Sequence, residues 1–117
     1  MKVLNLTPHT INLMVGESII EVPASGIIAR CGEDVKSCDP IKIDGIAVET
    51  VKKGFHSVDN IPNEKPGQIV LVSLMVLNAI KEMGIERADL FAPDTGNGSA
   101  VRDENGRIKG VKRLIRL

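Results

Sequence analysis

The segment Asp94-Thr95-Gly96-Asn97-Gly98-Ser99 is where residue types and spacing in this chain come nearest to chemistry. Its two glycines accept positive φ, and successive backbone N–H groups in such a turn form a concave donor set that suits a phosphate or carboxylate. Ser73 immediately precedes the apolar run Leu74 to Met83, so the sequence predicts a helix there with unsatisfied donors at its N-terminus. Arg30 and Arg102 offer planar, bidentate contacts to an anion. His9, in the turn Thr7-Pro8-His9, has a side chain able to orient a ligand or move a proton near neutral pH. With Ser25 from the Pro23-Ala24-Ser25-Gly26 punctuation, the candidate ligand-binding set is His9, Ser25, Arg30, Ser73, Asp94, Thr95, Gly96, Asn97, Gly98 and Arg102.

Each of these residues also has a purely structural reading. Asp94 and Asn97 can cap their own backbone in a tight turn, Arg30 and Arg102 can be solvated strand residues, and Ser73 can be an N-cap and nothing more. Asp94-Thr95-Gly96 also matches the catalytic triplet of dimeric aspartic proteases, whose chemistry requires two aspartates sharing one proton across a dimer axis. The context opposes that match, because Pro93 precedes the triplet and it lies late in the chain, whereas those proteases resemble one another in placing it near the N-terminus, ahead of a long flap hairpin. There is no nucleophile elbow, no Walker glycine loop and no Ser/His/Asp spacing, so no catalytic set is predicted.

The elements that must position these residues are clearest between Ile69 and Gly98. Ile69-Val70-Leu71-Val72 reads as a buried strand, Leu74 to Met83 as a helix stopped by Gly84, and Ala88 to Ala92 as a second strand. If the two strands are parallel, Ser73 and the Asp94 loop emerge at the same sheet edge, where open α/β sheets bind ligands. The helix is apolar nearly all round, which predicts cover on most sides by a loop or by a partner subunit.

The first half reads as short strands: Val3 to Leu6, Thr10 to Val15, Ser18 to Val22 and Ile27 to Cys31, with Gly16-Glu17 turning the second into the third. Ile41 to Ile43 and Ile46 to Val51 flank Asp44-Gly45, a two-residue hairpin signal. Lys52 to Gln68 is polar and holds Pro62 and Pro66, so it reads as a surface loop with a brief strand near Phe55 to Val58. Ala100 to Leu117 reads as a hairpin about Asn105-Gly106, with a helical alternative for Ile108 to Ile115. The predicted fold is α+β: a single domain over 1–117, mainly antiparallel sheet, with one apolar crossover helix in a strand-helix-strand unit at 69–92.

Composition narrows the partners. The chain has 117 residues, of which 43% are hydrophobic and 26% charged, enough to close one core. Fifteen basic and 15 acidic side chains cancel, so no net field draws the protein to nucleic acid or an anionic membrane. Phe55 and Phe91 are the only aromatics, too few to stack single strands. No apolar run approaches the ~18 residues of a membrane helix, and the N-terminus turns polar at Thr7, so a cytosolic location is expected. Cys31 and Cys38 have no second Cys pair, and His9 and His56 are remote in sequence, so no zinc spacing and no cofactor are predicted. The thiols read as free, with a disulfide between them as the alternative in an oxidising compartment.

Leu6-Thr7-Pro8-His9, Pro23-Ala24-Ser25-Gly26 with Ala29-Arg30, Val72-Ser73, Ala92-Pro93-Asp94-Thr95-Gly96, and Val101-Arg102-Asp103 with Gly106-Arg107-Ile108 and Gly110-Val111 form a pattern over nearly the whole chain. It resembles small uncharacterised proteins carried by bacteria and their phages, relative to which Cys31 to Cys38 is an insert. The resemblance implies an accessory protein similar to the small non-catalytic phage proteins that oligomerise and sequester nucleotide immune signals. A small anionic ligand and a homo-oligomer are the partners it implies. A structural or assembly subunit without ligand is the second expectation, and an enzyme, whether protease or phosphohydrolase, the third.

Overall fold

Val70, Leu71 and Val72 are completely buried, so the strand that carries them must be covered on both faces. A computed structural model, which describes all residues 1–117, shows how. Its elements are β1 (Lys2–Asn5), β2 (Ile11–Val15), β3 (Ser18–Val22), β4 (Arg30–Ile43), β5 (Ile46–Asp59), β6 (Gln68–Leu71), α1 (Leu74–Glu82), β7 (Leu90–Pro93), β8 (Ala100–Arg102), β9 (Ile108–Val111) and β10 (Leu114–Arg116). The fold is α+β and dominated by strand, as the sequence predicts.

The central sheet has the order β1-β6-β7-β10. β6 lies parallel to both β1 and β7, with Val70 opposite Leu90 and Leu71 opposite Phe91, so the β6-α1-β7 unit is the expected parallel crossover. Alternation along these strands sends side chains to two separate cores. On one face Leu4, Val70, Leu90, Ala92 and Ile115 pack against Val76, Leu77 and Ile80 of the helix. On the other, Val3, Leu71, Phe91 and Leu114 meet Ile11, Leu13, Val22 and Val111 of a second sheet, ordered β3-β2-β9-β8. The result is three layers, helix on sheet on sheet.

Local signals set the helix ends. Ser73 Oγ accepts from the Val76 N–H at 3.3 Å, and Gly84 follows the Met83 cap at φ 75°, a conformation that costs glycine little. Cover is less complete than the apolar composition implies: Val76, Leu77, Ala79 and Ile80 are buried, whereas Leu74, Met75 and Met83 stay exposed.

The largest departure from expectation lies in β4 and β5. Residues 52–59 are not part of a loop; they complete a 14-residue strand paired along its length with a second 14-residue strand that absorbs Cys31 to Cys38. Asp44 and Gly45 do form the turn, with φ of 53° and 80°. Only the base touches the body, where Cys31 and Val58 pack against the core beside the helix. Neither strand has a buried residue, and beyond the predicted Ile41 to Ile43 and Ile46 to Val51 segments no apolar period reveals how far the two strands continue. The arm stretches the chain to 56 Å along its longest axis and raises its radius of gyration to 17.6 Å, against about 13 Å for a compact chain of this length.

Two places where the sequence left alternatives open are resolved in favour of the first reading. Cys31 and Cys38 are free and stand on one extended strand, roughly 23 Å apart at a strand rise, whereas a disulfide needs Cα atoms within about 7 Å. The Asn105-Gly106 hairpin forms between β8 and β9, and no helix does, but the chain then leaves that sheet at Lys112-Arg113 so that β10 can pair with β7.

The loop between β5 and β6 is held by one ion pair. Arg87 Nε donates to Asp89 Oδ1 at 2.9 Å, one terminal nitrogen to Oδ2 at 2.6 Å and the other to the Pro62 carbonyl at 2.9 Å. The hydrogen bonds to Asp89 push the guanidinium pKa above its ordinary value despite the opposing cost of burial, so Arg87 keeps its charge in this half-buried position. Asp89 is only 4% exposed, and removing its partner strands a buried carboxylate. Arg87→Ala is expected to cost about 3 kcal/mol in urea unfolding, and Arg87→Lys to recover only part of that, because an ammonium cannot span both oxygens.

Candidate functional site

Parallel strands β1, β6 and β7 release their chains at the same sheet edge, and a solvent-open cavity of about 550 Å³ lies there. The turn after β1 contributes Thr7, Pro8, His9 and Thr10, the β6-α1 junction Ser73 and Leu74, and the segment at the end of β7 Pro93 and Thr95. The second sheet closes the opposite wall with Ile11 and Asn12 of β2 and Ile108 to Val111 of β9.

The wall that carries His9 is built on a buried amide. Asn5 is 1% exposed, and its side chain makes all four hydrogen bonds open to it. Its Nδ2 donates to the His9 carbonyl at 2.8 Å and the Val22 carbonyl at 3.0 Å, while Oδ1 accepts from the Thr7 N–H at 2.9 Å and the Thr7 hydroxyl at 2.7 Å. The end of β1, the Thr7 to His9 turn and the end of β3 are thereby tied together. The amide fixes the backbone from which the His9 imidazole projects.

At the helix N-terminus Ser73 satisfies Val76 N–H, and the Leu77 N–H bonds to the Ser73 carbonyl, but the N–H groups of Leu74 and Met75 have no acceptor. Of these two residues at the positive end of the helix, Leu74 lines the cavity. Lys109 on the opposite wall is exposed and has no acidic partner, so it supplies an uncompensated charge. Asn12 Nδ2 donates to the Lys109 carbonyl at 3.1 Å, and its buried Oδ1 has no donor. Gly110 permits close approach here: a Cβ would lie 2.6 Å from the Met14 sulfur and 3.0 Å from the Asn12 carbonyl oxygen.

Of the residues expected from sequence, His9, Ser73 and Thr95 meet at this cavity. The rest of the Asp94 to Ser99 loop is engaged in its own structure. Asp94 Oδ1 accepts from the Gly96 N–H at 3.0 Å, and Oδ2 pairs with Arg113, whose Nε lies at 3.1 Å. Arg113 also donates to the Asn97 carbonyl at 3.2 Å, Gly98 takes φ 87°, and the buried Ser99 Oγ accepts from the N–H groups of Lys112 and Arg113. These contacts lock the loop to the β9-β10 corner, while the N–H groups of Thr95, Asn97 and Gly98 keep no acceptor within the chain. With both carboxylate oxygens occupied, Asp94 is placed as a loop anchor.

Ser25, Arg30 and Arg102 do not reach the cavity. The Ser25 hydroxyl is spent on a local turn with Ile27, Arg30 starts the arm, and Arg102 donates to the Gly106 carbonyl at 2.7 Å within the β8-β9 turn. Sequence reasoning missed Asn12, Lys109 and Arg113. Asn12 was legible only as a polar position in an alternating strand, and Lys109 only as one of several basic residues near the C-terminus. No group of three His, Cys, Asp or Glu side chains converges in a way that could hold a metal ion. The chain matches no protein-family model, no curated protein and no solved structure.

Asn5→Ala would remove the Val22 carbonyl's side-chain partner and strand the Thr7 N–H, a group that costs ~1–3 kcal/mol when buried and unpaired, while the His9 carbonyl keeps the Thr7 hydroxyl at 3.1 Å. The expected result is a loss of about 3 kcal/mol in urea unfolding, with faster amide exchange through residues 7–12.

Proposed function

We propose that the cavity binds a small phosphate-bearing, nucleotide-like ligand without transforming it, and that the protein is a phage- or prophage-type accessory protein that sequesters such a molecule. One observation carries the reading: a single cavity brings the unpartnered Leu74 N–H, at a helix N-terminus, together with the uncompensated Lys109. Donor and cation suit a phosphate. A volume of about 550 Å³ is of the size that takes such a ligand.

The non-catalytic character rests on the roles the reactive groups already hold. Asp94 is bound by Arg113 and Gly96, and Ser73 Oγ caps the helix. His9 and Thr95 then serve as contacts on the rim, and sequestration needs only tight, unreactive binding. The resemblance to small phage-carried proteins supplies the setting, in which a bacterial immune signal is the nucleotide to be withdrawn.

The test is thermal unfolding across a panel of linear and cyclic nucleotides and inorganic phosphate. A ligand at one hundred times its Kd stabilises by about 2.7 kcal/mol, a rise of several degrees. Lys109→Ala and Asn12→Ala are expected to abolish most of that rise, whereas Arg30→Ala and Arg102→Ala leave it intact. No shift with any nucleotide, in a protein that unfolds cooperatively, would defeat the reading.

A further inference from the structure

The arm of β4 and β5 has no part in the cavity, and a ribbon of two strands with both outer edges unpaired is marginal by itself in water. We propose that two copies of this chain associate through their arms, one tip lying antiparallel across the other about a two-fold axis. The inference is independent of any ligand.

The tip is two-faced. Ile41 stands opposite Val48 and Ile43 opposite Ile46, and alternate rows of an antiparallel pair share a face, so all four aliphatic side chains point the same way. Ile46 is 68% exposed and Val48, the least so, 39%. The bulge between Cys38 and Ile41 keeps Cys38 and Thr50 in the next row of that face, followed by Lys36 opposite Lys52. Like charges directly opposite are destabilising, and neither lysine has an acidic partner. The acids nearer the base are otherwise engaged: Asp34 pairs with His56 at 2.8 Å and Glu33 with Lys53 at 3.9 Å.

Asp44, at the end of the arm, has no cationic partner either. From Asp44 to the Lys36-Lys52 row is about 25 Å at a strand rise. Two arms overlapped antiparallel by that length place the Asp44 of each copy over the lysine pair of the other. The aliphatic rows are then enclosed between, and a single two-fold axis satisfies both ends at once. A second copy therefore supplies what the lone arm lacks, an apolar cover for four aliphatic residues and an acid for two unpaired lysines. Because only one face of a narrow ribbon is used, the contact falls at the small end of stable interfaces, and the dimer population depends on protein concentration.

Sedimentation velocity of the full-length chain over a hundredfold concentration range reads this directly. The wild type is expected to pass from monomer to dimer, and Ile46→Asp to weaken association at least tenfold with its thermal midpoint unchanged. Asp44→Lys alone, and Lys36→Asp with Lys52→Asp, should each be monomeric, while an equimolar mixture of these two variants should recover the dimer. A wild type monomeric throughout overturns the proposal, as does a dimer that Ile46→Asp leaves intact or a mixture that shows no recovery.

Discussion

Burial of β6 on both faces is the constraint from which the rest of the structure follows. Val70 and Leu71 point to opposite sides and both are fully buried, so the helix must close one side and the β3-β2-β9-β8 sheet the other. A two-faced central sheet in so short a chain leaves few residues for covering layers. One helix of nine residues and short strands of three to five are what remain to do it. The chain meets the demand by crossing between layers repeatedly, at Leu6 to Thr10, Pro93 to Ser99 and Lys112-Arg113. Those crossings are where backbone groups must find partners outside regular structure, and polar side chains are buried at them: Asn5 and Thr7 at the first, Ser99 at the second.

Two of these crossings, with the β6-α1 junction, also make the cavity. Three parallel strands end together because β6 pairs in parallel on both sides, and the chains leaving them must diverge. Divergence opens a crevice, as it does at the switch point of other open sheets. What distinguishes this one is the second sheet across it, which contributes Asn12 and Lys109. The site therefore has two walls with different chemistry. The central-sheet wall presents hydroxyls and a helix N-terminus held by buried hydrogen bonds, while the outer wall presents one exposed cation.

How much of this the sequence disclosed depends on whether a signal was local. The β6-α1-β7 unit was legible because a four-residue apolar run, an N-cap and a glycine stop each act within a few residues, and the Asp44-Gly45 turn because it alone supplied two positive φ values. His9, Ser73 and Thr95 were legible for a related reason, since each follows the carboxyl end of a strand. Lys109 and Asn12 were not, because their place at the cavity depends on how two sheets stack, which no local pattern encodes. Arg30 and Arg102 were selected by residue type, and their strands run elsewhere. Of the arm only the tip was legible, where Ile41, Ile43, Ile46 and Val48 alternate about Asp44-Gly45; toward the base no face is buried, and the charged positions look like a loop.

The arm and the cavity meet at the helix. Its buried face packs on the central sheet and, through Cys31 and Val58, on the base of the arm, while its first turn opens on the cavity. A nine-residue helix is too short to be stable alone, so its order is lent by these contacts. The donors at Leu74 and Met75 are thus held in place by packing that includes the root of the arm. Whatever fixes that root also fixes the N-terminus of the helix, and an anion bound at the N-terminus stabilises the same nine residues from the other end. If the cavity binds an anion as proposed, the same short helix joins that site to the root of the arm, and by linkage any effect of one on the other must be returned in equal measure.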